Sequence, residues 1–97
     1  MITMDRIFVR DTLRKGGFPD AGRVLYDEIM SRAESADRII IDFDGVRCVA
    51  TQYLTTSIGR LIKEMGVDFV KSRLTFANIL ASQADRIRKY VQLVSKF

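Results

Sequence analysis

Apolar clusters and polar breaks succeed one another along the chain in a regular order. Ile2, Ile7, Phe8 and Val9 mark an opening segment that reads, to about Leu13, as one or two short strands. Lys15-Gly16-Gly17-Phe18-Pro19-Asp20 then interrupts the pattern, since glycine permits unusual dihedrals and proline fixes its own. Asp20 stands where an N-cap side chain accepts hydrogen bonds from the first free backbone amides. From Ala21 to about Ala36 the spacing becomes helical, with Leu25, Tyr26, Ile29, Met30 and Ala33 on one side.

Arg38-Ile39-Ile40-Ile41-Asp42-Phe43 predicts a strand. Its β-branched run is continuous rather than alternating, which suits a strand covered on both faces. A short connection over residues 44–50 leads to a second helix, from Thr51 or Gln52 to Met65, with Gly66 in the place where helices stop. Leu54, Ile58, Leu61, Ile62 and Met65 gather on one side of it, with Lys63 opposite. Arg73-Leu74-Thr75-Phe76-Ala77 predicts another strand. A last helix, from about Ser82 to Lys96, gathers Ala84, Ile87, Tyr90, Val91 and Val94. Asp85 and Lys89 have i,i+4 spacing, and Leu93 and Phe97 fall outside the stripe.

This order of strands and helices favours a mixed or parallel sheet and predicts an α/β fold: a small mixed sheet of about four strands packed with three main helices. Neither a linker nor a repeat divides the chain, so residues 1–97 read as one domain. In such sheets functional groups collect beyond the carboxyl ends of the strands, which here means Asp42 through Gln52.

Composition narrows the chemistry. The chain has 97 residues, 47% hydrophobic and 29% charged, the balance of an ordinary globular domain. No apolar run approaches the roughly 20 residues of a membrane helix, and residues 1–10 carry Asp5 and no long apolar core, so neither a membrane span nor a signal peptide is expected. A cytoplasmic protein is the expectation. Histidine is absent and Cys48 is the single cysteine, which removes Ser-His and Cys-His pairs, internal disulfides and most zinc sites. The net charge of +4 comes from scattered residues except in the last third. There Lys71, Arg73, Arg86, Arg88, Lys89 and Lys96 face few acids. That asymmetry fits a solvated basic face, a surface that steers an acidic protein partner, or a basic nucleic-acid-associated accessory module.

The sharpest motif is Ile39-Ile40-Ile41-Asp42-Phe43-Asp44-Gly45-Val46. Its DxDG core resembles that of haloacid dehalogenase-type phosphatases. The resemblance implies Asp42 as nucleophile and Asp44 as acid/base around magnesium, converging if both lie on a strand. The sequence lacks the later Asp-Asp pair, offers only isolated Asp68 and Asp85, and matches the phosphate-binding lysine poorly at Lys71. The chain is also short for that family's core.

A second resemblance covers more of the chain. A hydrophobic strand, Asp-Phe-Asp-Gly-Val and an amphipathic helix are similar to the centre of STAS domains, the fold of anti-sigma-factor antagonists. They are closer still to small bacterial STAS-like domains. The likeness runs over residues 39–65, and the strand at 73–78 and the final helix follow in the expected order. In the antagonists the helix opens with Asp-Ser-Ser-Gly-Leu, where a partner kinase phosphorylates a serine. Here those places hold Ala50, Thr51, Gln52, Tyr53 and Leu54. The acceptor position falls at Gln52, which takes no phosphate, so the resemblance implies that regulation by phosphorylation is lost while the binding surface persists, with Thr51 beside it the one possible phosphoacceptor. The resemblance implies a non-catalytic regulatory module without cofactor or metal. It would dock a protein partner, of the GHKL-type ATPase or anti-sigma-like kinase class, through Asp44, Gly45, Thr51, Gln52 and Thr55. A homodimer stays open.

The same residues have plainer readings. Thr51 reads as an N-cap, Asp42 and Asp44 as acids that cap the loop and fix its amides, and Gly45 as a turn glycine. Cys48 reads as a small buried hydrophobe. Gly16-Gly17 lacks the spacing and ending of a phosphate loop. Thr55, Thr56 and Ser57 offer a hydroxyl-rich helix face, interfacial or merely solvated.

Overall fold

Ile39 and Ile41, both fully buried, anchor the middle strand of the sheet in a computed structural model that describes residues 2–95. Strands β1 (Met4–Phe8), β2 (Arg38–Asp42) and β3 (Leu74–Ala77) lie in the order β1-β2-β3, with every pairing parallel. Parallel neighbours need helical crossovers. Helices α1 (Val9–Leu13) and α2 (Phe18–Ala33) join β1 to β2. A helical rod over residues 51–65 and helix α5 (Val67–Arg73) join β2 to β3, and α6 (Ala81–Val94) follows β3. The rod comprises α3 (Thr51–Leu54), a π-helical turn (Thr55–Gly59) and α4 (Arg60–Met65).

The expected mixed sheet of about four strands is therefore corrected to three parallel strands among the described residues. The missing strand is residues 9–13, which coil instead of extending. Val9 and Thr12, three apart, are both buried on one side of α1, and the Thr12 hydroxyl donates to the Val9 carbonyl at 2.7 Å. Three further expectations change. Helix α2 begins at Phe18 with Gly17 at its cap, because Pro19 fits the first turn, where no amide is needed. Asp20 thus lies inside that turn and pairs with Arg23 at 2.7 Å. Helix α5 has no counterpart in the periodicity, being too short to show one. Asp85 pairs with Arg88, three residues on, rather than with Lys89.

The three main helices stand as expected. Ala21, Leu25 and Ile29 of α2 and Leu61 of the rod have no exposed surface, and Leu54 and Ile58 have almost none, whereas Met65 at the end of that stripe is exposed. Full burial of such a side chain contributes about 1.5–3 kcal/mol, so this α2–rod contact is a main source of stability. It depends on Gly22, where a Cβ would lie 1.8 Å from the Thr56 hydroxyl and 2.7 Å from the Tyr53 carbonyl. Leu93 is exposed, as its place off the α6 stripe suggests. Lys96 and Phe97, the end of the expected last helix, lie outside the described residues.

Coverage of β2 on both faces is also corrected. Strand residues alternate between faces. Ile7, Ile39, Ile41 and Leu74 face the helices and are buried. On the opposite face Arg6, Ile40 and Thr75 lie abreast in register; Arg6 and Thr75 are exposed and Ile40 is half-buried. One face of the sheet is open.

Candidate functional site

The carboxyl end of β2 gathers groups from all three strands and their flanking loops. Asp42, the last residue of β2, is only 2% exposed. Its Oδ2 receives the Arg6 guanidinium from β1. Its Oδ1 accepts the Asn78 side-chain amide at 3.0 Å and the backbone N–H of Asp44 at 2.9 Å. The Asn78 bond, then the Asp44 amide and the Arg6 charge, hold this carboxyl below its ordinary range, against burial that pushes it up. Asn78 reaches it by adopting a left-handed backbone (φ 53°), which asparagine tolerates better than most residues.

Past Asp42 the chain turns sharply. The Val46 N–H donates to the Phe43 carbonyl at 2.8 Å, and Gly45 carries φ +78°, so the expected turn role of Gly45 holds. Asp42 fixes a loop amide as expected, whereas Asp44 does not. Its exposed carboxylate pairs instead with Arg10 of α1 at 3.0 Å. The two acids consequently point to different partners. Convergence as on a strand fails because β2 ends at Asp42 and Asp44 lies in the turn. Among the described residues no three Asp, Glu, Cys or His side chains group in a way that would hold a metal ion.

The second half of the loop presents the helix start. Ala50, not Thr51, occupies the cap position, with extended backbone and no side-chain cap bond. Thr51 is the first helical residue, and its exposed hydroxyl accepts from Arg86 of α6 at 3.0 Å. The same guanidinium also donates to the Val49 carbonyl, so α6 clamps the loop ahead of the helix. Cys48 is exposed and its neighbour Val49 is buried, reversing the expectation for the cysteine. Beneath the helix start the Tyr53 and Thr12 hydroxyls meet at 2.7 Å, and burial pushes the Tyr53 phenol up to about 12.

The hydroxyl-rich stretch divides by facing. Thr55 is exposed, Thr56 is half-buried with its hydroxyl on the Gln52 carbonyl at 2.8 Å, and Ser57 is buried with its hydroxyl on the Tyr53 carbonyl at 2.6 Å. Such back-bonding weakens the regular ladder, and here the rod widens into its π-helical turn, a feature often found at functional sites.

Thr51, Gln52 and Thr55 line one shallow groove of about 390 Å³ together with Pro19 and Thr56. At Thr55 and Thr56 it adjoins a larger cleft of about 700 Å³ that extends to Gly59, Lys63 and Tyr90. Three of the sequence-predicted site residues are thus brought together. Asp44 and Gly45, both exposed, line neither hollow. Arg6 and Asn78 escaped sequence reasoning, and Arg86 was read only as part of the basic last third. No local signal marked Arg6 or Asn78, whose shared partner Asp42 lies 36 residues from each.

Residues 21–91 match a family described as "STAS-like domain of unknown function (DUF4325)". Neither the curated proteins nor the solved structures gave a significant match.

Proposed function

The chain belongs to the STAS-like family, and from that premise we propose that it is a regulatory module that binds another protein without catalysing a reaction. The carrying observation is the groove at the start of the rod, where Thr51, Gln52 and Thr55 are exposed side by side with Pro19. Gln52 and Pro19 are both exposed, and the Gln52 side-chain amide makes no hydrogen bond among the described residues. The open side of the π-helical turn continues the surface toward Gly59. The expected partner is a GHKL-type ATPase or anti-sigma-like kinase.

The acids of the motif support the same reading. Asp42 spends both carboxylate oxygens on Arg6, Asn78 and the Asp44 amide, so it fixes the loop that presents the helix. The proposed surface extends to Asp44 and Gly45, which are exposed but lie outside both hollows. Thr51 stands in contact with a guanidinium, so a phosphate there would form charge-assisted bonds to Arg86. Regulation through Thr51 is in that sense chemically accommodated.

The test is a comparative pull-down. Wild type, Gln52→Arg with Thr55→Arg, and Lys71→Glu serve as baits, with bound proteins identified by mass spectrometry. An ATPase of the expected class should bind wild type and Lys71→Glu and fall at least tenfold with the groove variant. Equal recovery by all three baits, or no protein partner at all, refutes the assignment. The nucleic-acid alternative would instead show as binding that falls steeply between low and moderate salt and is lost on charge reversal at Arg86, Arg88 and Lys89.

A further inference from the structure

We propose that the outer edge of β3 is a peptide-binding site that accepts an extended acidic segment as a fourth strand. β3 is hydrogen-bonded on one side only, to β2. The Ala77 carbonyl points to that side, accepting from the Phe43 N–H at 2.9 Å. Backbone direction alternates along a strand, so the N–H and C=O of Phe76 point outward, and neither has a backbone partner among the described residues. Open strand edges are templates for pairing, and natural proteins usually blunt or cover them.

An apolar groove of about 540 Å³ runs beside this edge. Leu74, Phe76 and Ile79 form one wall, and Ala84, Ile87 and Val91 of α6 the other. Phe76, Ile79, Ala84 and Val91 are all only half-buried, so the core is unfinished there. The charge around it has one sign. Lys71 and Arg88 line the groove and no acid does. Lys71 has no ion pair among the described residues, and Arg88 has only its exposed contact with Asp85. On the open face of the sheet the Arg38 guanidinium reaches across to β3, where it bonds the Thr75 hydroxyl at 3.2 Å and no carboxylate.

These features select the occupant. Free amide and carbonyl groups at a strand edge are matched by another strand, not by a helix or an acyl chain, which have none to offer. Successive side chains of an added strand point to opposite faces. Those on the helix side meet the apolar groove, and those on the open side approach Arg38. An alternation of apolar and acidic residues satisfies both, with Lys71 and Arg88 drawing the acids nearest the rim. This surface is separate from the groove at Thr51 and Gln52, so the two sites can be tested independently.

The probe is a blocked heptapeptide of alternating glutamate and valine, acetyl-EVEVEVE-amide, titrated into the full isotope-labelled chain and followed by amide NMR. Its counterpart with lysine for glutamate is the control. The expected result is shifts confined to residues 74–79 and the facing side of α6, with the Phe76 amide protected from exchange. Arg38→Glu combined with Lys71→Glu should weaken binding at least tenfold. Both residues are exposed, so folding should persist. Val91→Arg, on the groove wall, provides a second variant with the same expected loss. Gln52→Arg should leave the affinity unchanged. An unaffected Phe76 amide at millimolar peptide overturns the proposal, as do equal binding of the lysine peptide or shifts centred on residues 51–55.

Discussion

Arg6 on β1 and Asp42 on β2 form an ion pair across neighbouring strands, in which the acid side chain is 2% exposed and the base 45%. In register Arg6 lies beside Ile40 and Asp42 beside Phe8, so the guanidinium reaches diagonally along the open face. A sheltered carboxylate with a half-exposed partner holds the two strands together just where the loop departs.

Asp42→Asn should destabilise the protein by about 1–3 kcal/mol, because it removes a charge-assisted bond while Arg6 can still find water. The pH dependence has a definite sign. The folded carboxyl titrates below its unfolded value. Its contribution is therefore complete above about pH 4 and fades as the pH falls through the lower folded value. Urea denaturation at several pH values should show an acid-side decline in wild type that is smaller in the variant. Identical profiles would show that the pair contributes nothing.

Gly22→Ala should destabilise by about 1–3 kcal/mol or more, since the new methyl group overlaps both a side chain and a backbone carbonyl. Adding Thr56→Ala removes the 1.8 Å overlap and leaves the one at 2.7 Å with the Tyr53 carbonyl. The double variant should regain only part of the loss, as read from denaturation midpoints. Complete recovery would mean that the rod backbone yields readily.

Thr51→Ala should change stability by less than about 0.5 kcal/mol, because Thr51 is an exposed first-turn residue with no capping bond. Loss of a true N-cap would cost about 1 kcal/mol. Thermal unfolding distinguishes the two, and a drop of that size would reinstate the cap.

Tyr53 should ionise only near pH 12, where burial places it. A phenol held above its unfolded value stabilises the fold fully below about pH 10, and that contribution disappears as the pH rises through the folded value. Ultraviolet titration of wild type against Tyr53→Phe should assign the late phase to this residue. An unchanged late phase in the variant would rule that out. The variant should also lose about 1 kcal/mol with the Thr12 bond.

How much of this was legible depended on period and length. The triple isoleucine, the stripe from Leu54 to Leu61 and the α6 stripe through Ile87 are long enough for their spacing to show. Residues 9–13 are not, and a five-residue helix packed by Val9 and Thr12 resembles a second strand when read alone. The turn at Gly45 followed from residue type at a strand end, whereas Thr51, Gln52 and Thr55 were singled out by the family resemblance and not by local patterning. The clamp of Arg86 on Thr51 and the shelter given to Asp42 followed from neither. Their partners lie 35 and 36 residues away, where local patterning carries no information.

The first strand lies ahead of residue 21, where the similarity to other family members begins. Yet that strand hydrogen-bonds one whole side of the central strand and supplies the cation beside its sheltered acid. A fragment trimmed to residues 21–91 would leave that edge of β2 unpaired and leave Asp42 only its bonds from Asn78 and the Asp44 amide. The sheet is thus completed by residues that lie outside the matched stretch.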